Sequence, residues 1–162
     1  MLGLVPDDPA ATPIDLPDYA RRPDPTYPPE RLLLVIRRVE DGGYLLIHHD
    51  DQSPPVMLST APPHRDEGFD AGIASLVHAR LGVRVARKLQ SASEIHPVRM
   101  LHPYTGGGRP GHLRAVAVEV TGEVVPDALV ASVESLDADE AWAALATDLE
   151  RAIFRDGVDL LG

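Results

Sequence analysis

The chain has no cysteine, a single lysine and very few aromatic side chains. Without cysteine there can be no disulfide and no thiolate zinc site. Lys88 stands alone against fourteen arginines, which reads as genome composition bias. No apolar run approaches the ~20 residues that a bilayer-spanning helix needs. The opening MLGLVPDDPA shows neither the basic n-region nor the apolar h-region of a secretory leader. These absences set the expectation of a cytoplasmic chain with no membrane partner.

What is present fits one globular core. The 162 residues are 44% hydrophobic and 25% charged, ordinary values for a single domain. The net charge of −10 is unevenly spread. Residues 1–30 carry six acids and two arginines, residues 31–118 carry eight acids and eleven bases, and residues 119–162 carry eleven acids and two bases. An acidic chain is a poor general nucleic-acid binder, because phosphate contacts need concentrated Lys and Arg. The basic middle could hold one small anion, or its arginines form a solvated face.

Eight prolines fall within residues 1–30. Proline removes a donor and fixes φ, so this stretch reads as an extended arm outside the domain of residues 31–162. Ile14, Leu16, Tyr19 and Tyr27 give it something to dock with, either the chain's own surface or a second copy. Arg31–Val39 is a leucine-rich, β-branched run that predicts a buried strand. Glu40-Asp41-Gly42-Gly43 predicts a turn, and Tyr44–His48 the returning strand. Val56–Ser59 predicts a short strand. A helix is expected from about Glu67, with Phe69, Ile73, Leu76, Val77 and Leu81 as its apolar stripe and Gly82 as its stop. Ser91–Leu101 reads as extended, Pro103–Gly111 as a loop and His112–Val120 as a strand. Val124–Val133 stays unassigned. A last helix is expected over Asp137–Phe154, with Asp137 and Glu140 as a capping box and Leu145, Leu149, Ile153 and Trp142 on its buried side. The order is an α+β (mixed α/β) plan.

This order resembles the Nudix family over residues 31–155. Tyr44-Leu45-Leu46-Ile47-His48-His49 takes the place of the family's second hairpin strand. Leu58-Ser59-Thr60-Ala61 stands where LPGG would, and Leu81-Gly82-Val83 stands where the helix-ending x-G-apolar would. Ser135-Leu136-Asp137 followed by Trp142 resembles the entry to the family's C-terminal helix. Set on Gly82, the motif G-x5-E-x7-R-E-U-x-E-E-x-G-U aligns without a gap. Glu67, Val77, Gly82 and Val83 match it. Ala61, Ser75, Leu76, Ala79 and Arg80 replace the first glycine, the arginine and three glutamates.

The resemblance implies an α/β/α sandwich with a mixed sheet. In the family, the helix carboxylates hold a divalent metal that neutralises a pyrophosphate and helps activate water. Magnesium requires hard oxygen ligands. Leucine and alanine supply none, and Arg80 puts a fixed positive charge where a cation would sit. Standard hydrolysis is therefore not expected, and no cofactor is expected. The expected role is binding a nucleotide-like or other phosphate-bearing ligand. Two alternatives stand. One is an atypical magnesium- or manganese-dependent hydrolase of nucleoside diphosphate derivatives, drawing on Glu67, His49, His64 and Asp50, with Glu67 as the catalytic carboxylate. The other is a non-catalytic homodimeric module.

Candidate ligand contacts are Arg80, His49, His64 and Arg109. Arg80 could fork onto phosphate or simply complement the helix dipole. His48 and His49 on a strand point to opposite faces, so they cannot easily share an ion. Gly106–Gly111 lacks the Lys-Ser/Thr ending of a Walker loop and opens no helix. Ser59, Ser75 and Ser135 lack flanking nucleophile-elbow glycines.

Overall fold

The computed structural model describes residues 4–5, 30–63, 68–101 and 108–162. The centre of the sheet is the strand that the leucine run predicts. Strand β2 (Glu30–Arg38) pairs in parallel with β8 (Gly108–Thr121), in a register running from Glu30↔His112 to Arg38↔Val120. Both faces of this pair are covered, which is why its sequence is a continuous apolar run rather than an alternation.

Alternation sorts the side chains into two cores. Leu32, Leu34 and Ile36 join Leu45, Ile47, Val116, Val118 and Val120 on one face. There they meet Ile73, Val77 and Leu81 of helix α1 (Phe69–Leu81). Leu33 and Val35 join Leu46, Leu113 and Ala115 on the other face. They pack against Ala141 of α2 (Ala138–Ala144), Leu145, and Ile153 and Phe154 of α3 (Asp148–Leu161). Each fully buried Leu or Phe contributes roughly 1.5–3 kcal/mol. Two such layers account for the expected α/β/α arrangement.

The hairpin partner β3 (Tyr44–His48) keeps only the Arg37↔Tyr44 pair with β2. Beyond it the two strands part, and β4 (Leu58–Thr60) pairs with β2 across Leu32↔Thr60, Leu33↔Ser59 and Leu34↔Leu58. Val56 bridges β4's approach to Ile47 of β3. Strand β3 then runs beside β9 (Ser132–Leu136), antiparallel from Tyr44↔Leu136 to His48↔Ser132. Along its other edge β8 takes β7 (His96–Leu101), β6 (Gln90–Ser91) and β5 (Arg84–Val85) in turn. Leu4–Val5 (β1) pairs with Met100 and Arg99 of β7.

Four expectations need correction. The single C-terminal helix is two helices. Leu145 turns extended (φ −68°, ψ 141°) and is buried, and Thr147 starts a new helix by accepting from the Glu150 backbone N–H. Strand β8 begins at Gly108, inside the expected loop. Pro110 is tolerated because it lies ahead of the first β2 pairing, at an edge position. Trp142 is 39% exposed and lies under the guanidiniums of Arg151 and Arg155 rather than in the core. Phe69 is likewise exposed, at the first position of α1. The unassigned stretch contains the start of β9.

The predicted capping box is present: Asp137 accepts from the Glu140 N–H, and Glu140 accepts from the Asp137 N–H. The second cap has a different character. The Glu150 carboxyl accepts from the Thr147 hydroxyl at 2.9 Å while almost completely buried. Burial raises its pKa, only partly opposed by that hydrogen bond.

Candidate functional site

The family resemblance directs attention to α1. Its helical stop is imposed at Gly82, which sits at φ 73° and donates to the His78 carbonyl. A Cβ there would also lie 3.0 Å from Val125 Cβ and 3.2 Å from the Val125 carbonyl oxygen. The loop after β8 presses on this end: Val125 N–H donates to Leu81 O (2.8 Å) and Asp127 N–H to Arg80 O (3.0 Å). The Arg80 guanidinium closes the clasp on the Asp127 carboxylate at 2.9 Å. Arg80 thus ties a loop to the helix end, a partner that neither sequence reading of it named.

Motif positions Ser75, Leu76 and Ala79 lie on the same helix. Leu76 is half-buried and packs against the α1-side core, while Ser75 and Ala79 are exposed. Leucine and alanine offer no oxygen to a hard divalent ion, and Ser75, at the motif's arginine position, offers one neutral hydroxyl in place of a carboxylate. At a separation near 4 Å the guanidinium of Arg80 opposes each unit of a cation's charge by ~1 kcal/mol in water and ~4 kcal/mol at an effective dielectric of 20, and a divalent ion meets twice that. Among the described residues no three His, Asp or Glu side chains are grouped to hold a metal. The magnesium or manganese that the fold implies therefore does not fit the donors of this helix. Glu67 and His64 lie outside the described residues, as does the side chain of Arg109, whose backbone pairs with Met100.

The His48–Asp51 segment divides as strand geometry requires. His49 is exposed. His48 is half-buried, its Nδ1 at 3.1 Å from the Ser53 carbonyl and its Nε2 at 2.8 Å from the Glu134 carboxylate. Both partners only accept, so both ring nitrogens donate, and the imidazolium is the form that satisfies them. Its pKa is raised, first by the Glu134 hydrogen bond. Asp50 accepts from the Gln52 and Ser53 N–H groups and from the Ser53 hydroxyl, and these hydrogen bonds lower its pKa.

The His48 pairing gives a pH expectation. A histidine whose folded pKa is raised contributes stability below its unfolded value near 6.5, and loses it as pH rises through the folded pKa. Glu134→Gln should move the His48 titration down toward that ordinary value, followed by imidazole NMR. An unmoved titration would remove Glu134 as the cause.

Sequence reasoning missed a polar group at the opening of the β2–β8 pair, because parallel pairing of distant segments creates it. Glu30 and Arg114 form an ion pair at 2.8 Å, and His112 Nε2 stands 3.7 Å from the same carboxylate oxygen. The register places Glu30 beside His112, and alternation puts Glu30, His112 and Arg114 on the α1 side. Arg31 faces the opposite side, 1% exposed, and donates to Ser59 Oγ at 3.3 Å. That serine lies in the segment standing where LPGG would. The splayed β2–β3 hairpin leaves this end of the sheet lined by charged and hydrogen-bonding groups.

Comparison with solved structures identifies the architecture. A Listeria monocytogenes protein described as a Nudix hydrolase superposes with a TM-score of 0.62, at 12% identity, over 82% of this chain and 94% of its own. The Escherichia coli dihydroneopterin triphosphate pyrophosphohydrolase gives 0.59 at 14% identity, over 81% of this chain and 96% of its own. The Nudix domain of Shewanella oneidensis NrtR, solved with ADP ribose, gives 0.53 at 12% identity, over 92% and 100%. No family model matches the sequence, and no curated protein matches it. The chain has the Nudix fold. Among the described residues no helix is long and apolar enough to cross a membrane.

Proposed function

We propose that residues 31–162 form a Nudix-like domain that binds a nucleotide-like or other phosphate-bearing small molecule without magnesium-dependent hydrolysis, residues 1–30 being an arm outside it. One observation carries this reading. On α1 the motif's ligand positions are a core-packed Leu76, an exposed Ala79, and an Arg80 paired with Asp127. The ADP-ribose complex of the NrtR domain supports the ligand class. Arg114, beside Glu30 and His112, supplies an arginine fork suited to phosphate. His49, His64, Arg80 and Arg109 remain the proposed ligand contacts. Glu67 is the one carboxylate retained from the motif.

Two assays test this. With magnesium or manganese, release of nucleoside monophosphate from a panel of nucleoside diphosphate derivatives should not exceed a protein-free blank. ADP-ribose, used as the probe, should bind saturably by calorimetry. Metal-dependent turnover abolished by Glu67→Gln would overturn the reading in favour of an atypical hydrolase. Asp50 weighs against that alternative, since both its oxygens are engaged in its own turn. The homodimeric module is the remaining reading. The pairing of Leu4–Val5 with the chain's own β7 favours an arm laid on its own sheet. Light scattering before and after removal of residues 1–29 separates the two.

A further inference from the structure

At the opposite end of β2, by the hairpin turn, the fold builds a cleft that gathers three arginines with acidic side chains. It has a volume of about 480 Å³, and its walls include Arg37, Arg38, Arg87, Glu119, Tyr44 and Asp137. The strand end supplies Arg37 and Arg38 on alternate faces, and the chain leaving β5 brings Arg87 to the Arg37 face, where both meet Glu119. Arg37 Nη2 donates to the Leu161 carbonyl at 3.0 Å and stands 3.4 Å from Glu119 Oε1. Arg87 Nη1 reaches that same oxygen at 3.3 Å. Two guanidiniums therefore share one oxygen of one carboxylate. Arg38 is tied to the Gly122 carbonyl at 2.8 Å, with Glu40 at 3.5 Å and Asp41 at 3.4 Å.

A guanidinium carries five N–H donors. The protein acceptors engage Nη2 of Arg37, Nε and Nη1 of Arg38 and Nη1 of Arg87. Several donors of each fork are left for solvent or a ligand. The cleft's own acids do not saturate it. Asp137 accepts from the Glu140 N–H within its capping box. Glu40 is turned to the Thr121 hydroxyl and the Gly122 N–H. That leaves Glu119 as the carboxylate between Arg37 and Arg87. An entering anion must compete with it, which favours a dianion over a monoanion.

We propose that Arg37 and Arg87 form a binding site for a phosphate dianion or a phosphate monoester, distinct from the residues proposed above for the nucleotide-like ligand and independent of whether they bind it. Inorganic phosphate is the probe. Titrated into the full chain at constant ionic strength, it should shift the amide NMR signals of Gly42, Gly43 and Arg87 saturably, while potassium chloride should not.

Arg87 is 71% exposed in its side chain, so Arg87→Gln leaves the fold intact. It should weaken phosphate roughly threefold, the scale of one half-solvated charge. Glu119→Gln removes the competing carboxylate and should tighten phosphate by roughly the same factor. Glucose 6-phosphate tests the monoester arm and should shift the same amides. ADP-ribose binding should be unchanged by Arg87→Gln. An equal response to chloride, shifts confined to His49 and α1, or indifference to both substitutions would each overturn the proposal.

Discussion

Magnesium should stabilise an Ala79→Glu/Arg80→Glu variant and leave the native chain unmoved. The prediction follows from the clasp at the end of α1. Arg80 Nη1 lies 2.9 Å from an Asp127 oxygen, so replacing the arginine with glutamate strips Asp127 of its counter-charge and gathers three carboxylates at the helix end. Without metal, their repulsion should lower the variant's melting temperature below that of the native chain. With metal, the same charges become ligands. Binding to the folded state alone stabilises by RT ln(1 + [L]/Kd), about 1.4 kcal/mol at a tenfold excess over Kd. For a chain of this length that corresponds to a rise of roughly 3–6 °C. Calorimetric melts with and without 10 mM magnesium measure it. A flat response in the variant would mean that this face is not laid out to hold an ion. An equal rise in the native chain would mean that other donors already hold one.

Replacing Gly157 with alanine should destabilise the protein even though alanine is the better helix former. Gly157 lies in α3 directly over β2. A Cβ there would sit 2.3 Å from Val35 Cγ2, 2.4 Å from Val35 Cβ and 2.9 Å from Val35 Cγ1. Val35 stands in the most constrained strand of the sheet, paired with Ala117 and 1% exposed. It cannot yield without moving the parallel pair, so the helix must lift. The propensity gain is about 1 kcal/mol, and overpacking of this kind costs ~1–3 kcal/mol. With contacts this short the upper end applies, for a net loss of about 2 kcal/mol and a melting point lower by roughly 4–8 °C. Val35→Ala in the same chain should restore part of the loss, since it removes both Cγ atoms and leaves the Cβ contact. A single substitution as stable as the native protein in urea melts would show that α3 can lift from Val35 without loss.

The parts of the fold that could be read from the sequence are those governed by local chemistry. The run Arg31–Arg38, the glycine turn and the stripe Ile73, Val77, Leu81 each determine one element through their own spacing. Strand β9 escaped because Ser132–Leu136 is polar and only partly buried; its pairing with β3, rather than its own residues, makes it a strand. The break between α2 and α3 was legible in principle, since Thr147 precedes Glu150 by three residues, the spacing already recognised at Asp137 and Glu140. The candidate site divides the same way. The missing carboxylates of α1 are visible in one dimension. The Arg80–Asp127 clasp, the Glu30–His112–Arg114 group and the sharing of Glu119 by Arg37 and Arg87 are not, because they join segments far apart in the chain.

The central parallel pair also has a consequence for synthesis. Residues 30–38 leave the ribosome long before residues 112–120, their partners, have been made. Until then β2 can recruit only β3 and β4, and its side toward β8 stays open. Closing so long a loop is entropically slow although thermodynamically cheap. The nascent chain therefore carries an exposed, strongly apolar strand edge through much of its translation, and the period of greatest exposure to chaperones and to aggregation ends when Val120 emerges.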